Sequence, residues 1–394
     1  MYRLSRLMLL LSVVLFAYCI TLAAFLAIRQ QVPPDKQGMA GGILIVSVLA
    51  ILARRKVRRI FTAFGTAAWA SYAELERAGM TGAGTGLILG RIKREGAPIV
   101  CAVRALLNKR LDAKVACREF FDNLHPWKRK KGCLVRLPST AVHTMVVAPT
   151  GVGKGVSCIL PFLFTCEESC AVVDFKGENA LLTAEHRRRR MGHKIVILDP
   201  FLVTTKKRKR RADTFNPLDF IDKDSPQALD ECRDLAESVV IRTGDEKDPH
   251  WNDSAEAVIA AVIAVVVMYG QKDKGTRSLQ KVRDILAHPQ EFDMAKKLML
   301  EHGGMLARWG GQLDHLRGDE FSSVMSTSHR HLRFLDTPAI AESTSSSSFN
   351  PAGLRNGTMT VYLVLPPEHM RAQAALLRMW IGSLLRAVVK GGLK

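Results

Sequence analysis

The 394-residue sequence predicts an α/β fold. It reads as a parallel sheet with covering helices, interrupted by an all-α insertion and preceded by a transmembrane helical hairpin. Three observations predict this. Strand-like and helix-like segments alternate between residues 144 and 198. A long helical stretch follows, and strand character returns at residue 358. Two long uncharged runs stand near the N-terminus.

The first of these runs, Leu7–Ile28, has 22 residues without a charge, enough to cross a bilayer as a helix. The second, Gly38–Ala53, has 16 and is extended by interfacial residues such as Gln37. The short polar segment Arg29–Gln37, with two prolines, turns the chain between them. Arg3 and Arg6 flank the first span, and the basic run Arg54–Arg59 flanks the second. The positive-inside bias therefore predicts a multi-pass membrane protein with both termini in the cytoplasm. A cleaved signal peptide is the alternative for the first span, but its apolar region is too long and a second span follows at once.

Ala148-Pro-Thr-Gly-Val-Gly-Lys-Gly155 follows the apolar run Thr144–Val147 and precedes Val156–Phe164. Strand, Gly-rich loop and helix in that order make a phosphate-binding loop. Glycines at 151 and 153 let backbone N–H groups curl around an anion, the next helix points its positive end at it, and Lys154 adds a point charge. The predicted ligand is a nucleoside triphosphate with Mg²⁺, which the family resemblance below makes ATP, held by Thr150, Gly151, Val152, Gly153, Lys154, Gly155 and Val156. Position 148 carries Ala where the general pattern has Gly, and position 155 carries Gly where it has the metal-binding Ser or Thr. Thr150 and Ser157 are the nearest hydroxyls.

Upstream, Thr81–Gly86 is Gly-rich but lacks a lysine, and reads as a loop before the strand Leu87–Leu89. Downstream, Cys170–Phe175 reads as a buried strand, Gly177–Met191 as a helix and Lys194–Leu198 as the next strand. Asp174, Lys176, Glu178 and Asp199 fall at the carboxyl ends of these strands, where ligands collect in parallel sheets. Asp174 is open to two readings, orienting water or metal at the nucleotide or capping a turn. Residues from Asp213 to Phe349 read as helical. The 13-residue uncharged run Ala257–Tyr269 is short for a span and reads as a core helix. Arg308–Leu335 reads as two amphipathic helices, Ser343–Ser348 as a flexible turn, Thr358–Leu365 as a strand stopped by Pro366-Pro367, and Glu368–Val389 as a last helix.

Net charge is +20, of which +17 lies on residues 54–394, so nucleic acid or anionic lipid is a natural neighbour. Arg187–Arg190 would meet a helix dipole, and Lys206–Arg211 lies in a loop. Either run could reach DNA phosphates, and a solvated charge run is the alternative. The eight cysteines form no CxxC pair. Cys166 and Cys170 could share a helix face, but buried structural thiols in a reducing cytoplasm are the better reading.

Taken in order, the segments resemble the TraG-type coupling proteins of conjugation and type IV secretion. The residues that carry the resemblance are Gly65–Leu75 with Gly79, Gly86–Arg91, the Ala-Pro-Thr-x-x-Gly-Lys-Gly form of the loop, Val173–Glu178, Asp199–Phe201 and Phe215–Asp219. Further on stand Trp251, Ser322–Ser326, Leu332–Leu335 and Met359–Pro367. In that family Gly155 is usual. The resemblance implies a P-loop NTPase domain like those of RecA and FtsK, with Gly151, Gly153, Lys154 and Gly155 holding the triphosphate. It implies an all-α domain at about residues 220–345 that meets the cargo. It also implies a membrane-anchored homohexamer that delivers relaxase-bound DNA or secreted protein cargo to components of the secretion channel. The expected layout is a membrane anchor over 1–59, nucleotide domain over 60–215, cargo-facing helical domain over 216–349, and a return to the nucleotide domain over 350–394.

The family continues into a strand ending in an Asp-Glu pair, the carboxylates that polarise Mg²⁺ and the attacking water. No apolar run ending in Asp-Glu occurs between 355 and 394. The expectation is an N-terminal portion truncated before that strand, with an incomplete sheet and little or no hydrolysis. A non-catalytic membrane scaffold and an FtsK-like DNA translocase are the competing functions.

Overall fold

The computed structural model describes residues 70–81, 86–94, 96–108, 111, 113–137, 143–205, 211–242, 244 and 248–390. The expected membrane hairpin, residues 82–85 of the upstream glycine run and residues 206–210 of the basic loop lie outside the described residues. The rest divides into two compact units, one ending at Cys166 and one beginning at Glu167.

In the first unit, α1 (Tyr72–Arg77) starts at a capping box in which Ser71 accepts from Glu74 N–H and the Glu74 carboxylate answers the Ser71 backbone. Strand β1 (Ile88–Ile92) begins one residue later than the sequence suggests and pairs antiparallel with β2 (Cys133–Arg136), register Ile92↔Cys133. Between them come α2 (Pro98–Leu107), α3 (Ala113–Leu124) and α4 (Pro126–Lys131). Ala102 and Leu106 of α2 pack on Cys117 and Phe120 of α3. Gly132, at φ +74°, turns α4 into β2; a Cβ there would stand 2.4 Å from the Ile92 carbonyl oxygen.

The segment Thr144–Val147 departs from the sequence reading. It forms no strand, and Met145 and Val147 are 87% and 85% exposed. An extended segment becomes a strand only when a neighbour takes up its N–H and C=O groups, and none among the described residues does. The Ala148–Lys154 loop follows, then a π-turn over Gly155–Ile159 that runs into α5 (Leu160–Thr165). The Leu160 N–H reaches back five residues to the Gly155 carbonyl. Pro161 has no N–H and its ring presses on the preceding turn, which favours this wider register.

In the second unit, β3 (Cys170–Asp174), α6 (Glu178–Met191) and β4 (Lys194–Leu198) match the sequence reading within one residue. After turns and a 3₁₀ turn over Pro217–Phe220, the described residues from 228 to 344 are mainly helical. The helices are α7 (Ala228–Val239), α8 (His250–Tyr269), α9 (Leu279–Ala287), α10 (Pro289–His302), α11 (Gly304–His315), α12 (Gly318–Leu332) and α13 (Pro338–Thr344). Then β5 (Met359–Val364) inserts between β3 and β4, parallel to both, to give the order β3-β5-β4. The last helix, α14 (Ala374–Val389), starts six residues later than expected because Pro367–His369 forms a separate 3₁₀ turn.

Every residue of β5 is buried, because both faces of the sheet are covered. Period-two alternation assigns the faces. Ile195, Ile197, Tyr362 and Val364 meet Ala180 and Ala184 of α6. Val196, Leu198, Met359, Val361 and Leu363 join the large core that continues through the helices. Trp380 of α14 is buried in that core and points Nε1–H at the Phe215 carbonyl, 3.4 Å away.

Among the described residues α8 alone is long and apolar enough to cross a membrane by length and composition, yet 67% of its apolar window is buried inside the protein. It is buried nearly all round from Val258 to Val267, as the central helix of a bundle must be. The serine segment is less free than expected. Ser343 and Thr344 close α13, while Ser347 and Ser348 bond to the Asn216 and Thr214 backbones.

Candidate nucleotide site

The Gly-Val-Gly turn is built as an anion cradle requires. Gly151 and Gly153 hold φ +85° and +86°, a region that side-chain-bearing residues rarely adopt. Alternating positive and negative φ points successive N–H groups to one side. Among the described residues the N–H groups of Thr150, Gly151, Val152 and Gly153 donate to no partner. Thr150 and Gly151 are exposed, as are the Val152 and Val156 side chains, so the concave side is not filled by the first unit's own core.

Lys154 is half-buried and folds back on its loop, Nζ donating to the carbonyls of Ala148 at 2.5 Å and Pro149 at 2.8 Å. Two carbonyl dipoles do not neutralise an ammonium, so an incoming phosphate competes for it. Gly155 is exposed and a Cβ there would meet nothing within 4 Å. No packing constraint therefore explains why a hydroxyl residue is missing at 155. Ser157 is exposed, and its Oγ lies 3.7 Å from the place of a Cβ on Gly153, at the mouth of the loop. The donor set fits a polyphosphate: free N–H groups, one lysine and a hydroxyl one turn into the helix.

In the second unit the carboxylates at the strand ends are structural. Asp174 is buried, its Oδ2 accepts from Ala180 N–H at 2.8 Å, and Asn179 lies at 3.5 Å. Burial raises its pKa and the backbone N–H groups of Ala180, Gly177 and Asn179 oppose that rise. It therefore caps α6. Asp199 is fully buried and accepts from Val203, Thr204 and Thr205 N–H and from both threonine hydroxyls, closing the turn after β4. Lys176 and Glu178 face solvent.

The arginine run divides. Arg188 and Arg189 pair with Glu185 near the surface, whereas Arg187 is fully buried. Arg187 donates to Thr360 Oγ1 and the Glu168 carbonyl at 2.7 Å and lies 3.3 Å from His193 Nδ1. It ties α6 beneath β5 and is not a DNA-facing residue. Cys166 caps α5 while Cys170 opens β3, so the two cysteines do not share a helix.

The family described as Type IV secretory system Conjugative DNA transfer matches residues 102–391. The chain belongs to that family. The conjugal transfer protein TraG of Escherichia coli is 28% identical over 277 residues, covering 66% of this chain and 42% of that protein. VirD4 of Agrobacterium fabrum (strain C58 / ATCC 33970) is 27% identical over 249 residues, covering 60% of this chain and 34% of that protein. The chain thus spans about two fifths or less of these relatives. Among solved structures, the conjugative coupling protein TrwBdeltaN70 in its unbound monoclinic form superposes with a TM-score of 0.47 at 15% identity, covering 66% of this chain and 54% of that one. TrwB in complex with the GTP analogue GDPNP superposes at 0.46 and 15% identity, over 64% of this chain and 54% of that one.

Proposed function

We propose that this chain is part of a membrane-anchored coupling protein of conjugal DNA transfer, and that its Thr150–Val156 loop binds ATP with Mg²⁺. Membership of the conjugative DNA transfer family supports the role. The single observation that carries the nucleotide reading is the pair of positive-φ glycines with uncommitted N–H groups beside Lys154. In this reading Gly151 and Gly153 shape the cradle, the N–H groups of 150–153 take the phosphate oxygens, and Lys154 leaves its two carbonyls for the β/γ-phosphates. The hydroxyl of Thr150 or Ser157 serves the metal in place of a residue at 155. Bound Mg²⁺ supplies charge neutralisation of the phosphates.

The layout proposed with it is an anchor over 1–59 with both termini in the cytoplasm, nucleotide-domain segments over 60–215 and 350–394, and a cargo-facing helical domain over 216–349. The assembly is a homohexamer in the bacterial inner membrane. It receives relaxase-bound DNA or protein cargo and passes it to the secretion channel. The test is Lys154→Ala in the full chain, with a fluorescent ATP analogue titrated by anisotropy. Affinity should fall by about tenfold or more, since a phosphate–ammonium contact is worth about 1.5–3 kcal/mol. Unchanged affinity would remove the nucleotide reading and leave a membrane scaffold.

A further inference from the structure

The first unit carries a second concavity, lined by β1, α3, α4 and β2, with a volume of ≈ 490 Å³, within the size range of ligand clefts. Six cationic and two acidic side chains line it. Both acids are already engaged, Glu119 with Arg94 at 2.7 Å and Asp122 with Lys128 at 2.5 Å. Arg91, Arg118 and Lys131 have no carboxylate partner among the described residues. Arg91 donates to the Lys131 carbonyl, and the Lys131 ammonium lies 3.8 Å over the Trp127 ring, whose side chain is largely exposed.

Arg94 has a side chain only 3% exposed. One of its nitrogens bonds Glu119, while Nε and Nη1 are buried without a hydrogen-bond partner. An arginine fork left two-thirds unused is costly unless an acceptor meets it. Surplus cations around such a fork select an anion with several oxygens, and planar guanidinium groups match phosphate. The exposed Trp127 face and Leu134 add an apolar wall for a substituent on that phosphate.

We propose that this cleft is a phosphate-group site, separate from the Thr150–Val156 loop, with Arg94 as its buried anchor and Arg91, Arg118 and Lys131 as its cationic rim. The phosphate is either free or carried on an anionic lipid headgroup. The site does not depend on the nucleotide reading of the loop.

The experiment uses the full chain with Lys154→Ala, reconstituted in nanodiscs of phosphatidylcholine alone or with phosphatidylglycerol. Binding of radiolabelled orthophosphate is measured with and without the added pair Arg91→Gln and Arg118→Gln. Both arginines are exposed, so the pair should leave the fold intact, checked by an unchanged thermal midpoint. The expected result is saturable phosphate binding that survives Lys154→Ala and weakens about tenfold or more in the arginine pair. Binding present in phosphatidylcholine and suppressed by phosphatidylglycerol assigns a lipid headgroup. Equal binding in both discs assigns free phosphate. No binding in either disc, or binding undiminished by the arginine pair, overturns the proposal. Failure of the loop reading shows separately, as nucleotide affinity unaffected by Lys154→Ala.

Discussion

Acidification should weaken the helical part of the second unit through His331. This side chain is 8% exposed, on α12, and joins three segments. Its Nε2 donates to Asn252 Oδ1 at 2.9 Å, and its Nδ1 accepts from Ile241 N–H at 3.4 Å. The neutral ring fits this arrangement; a second proton would set one donor against another. Burial first, then the Arg330 and Arg242 charges, lower its pKa from 6.5 to about 4. The unfolded chain takes up the proton near pH 6.5 and the folded chain only near pH 4. Stability is therefore fully present above pH 6.5 and is lost as pH falls through that window. At pH 4.5 the loss from this residue comes to about 2.5 kcal/mol. The assay is urea unfolding of the full chain at pH 7.5 and 4.5, followed by tryptophan fluorescence, for the parent and for His331→Gln. His193 and His329 also have lowered pKa values through burial, so the parent-minus-variant difference is the informative quantity. The variant should be about 1 kcal/mol weaker at pH 7.5 through the lost hydrogen bond, and should close or reverse that gap at pH 4.5. Equal losses in parent and variant would refute the reasoning.

Other substitutions test the fold around the sites. Glu119→Gln leaves the buried Arg94 guanidinium without its counter-charge and should cost about 3–5 kcal/mol, read as a lower urea midpoint for the first unit. Trp380→Ala empties a fully buried site between the sheet and α7 and should cost about 3–5 kcal/mol in the same measurement on the second unit. Gly177→Ala meets both a φ of +69° and a Cβ 2.0 Å from Thr204 Cγ2; a loss of about 2 kcal/mol or more is expected, and a neutral result would mean that the turn before α6 relaxes freely.

Much of the second unit was legible because its signals are local and redundant. Strand β4 is four consecutive buried apolar residues between a polar start and Asp-Pro, and β5 is stopped by two prolines. The loop glycines were legible because Gly-x-Gly before lysine has few other uses. What was not legible depended on partners. Thr144–Val147 has strand composition, but pairing decides whether a strand exists. Arg187 sits in a run of four arginines whose composition says surface, and only the helix phase turns it inward toward Thr360. Asp174 stood at the right place for chemistry, and its hydrogen bonds to the α6 N-terminus made it a cap. The Arg94 fork gave no sequence signal, since its acid partner lies 25 residues away on another element.

The position of β5 has a consequence for biosynthesis. Of the three described strands of the parallel sheet the middle one is made after both its neighbours: β3 and β4 leave the ribosome early, and their common neighbour begins only at Met359, well after β4 ends at Leu198. At about 5–20 residues per second the nascent chain waits roughly 8–30 s with both strands unclosed. During that interval their inner edges are open templates for pairing with another chain. Slower elongation after β4 should thus increase co-translational aggregation or chaperone capture of this protein, whereas slowing before β3 should not.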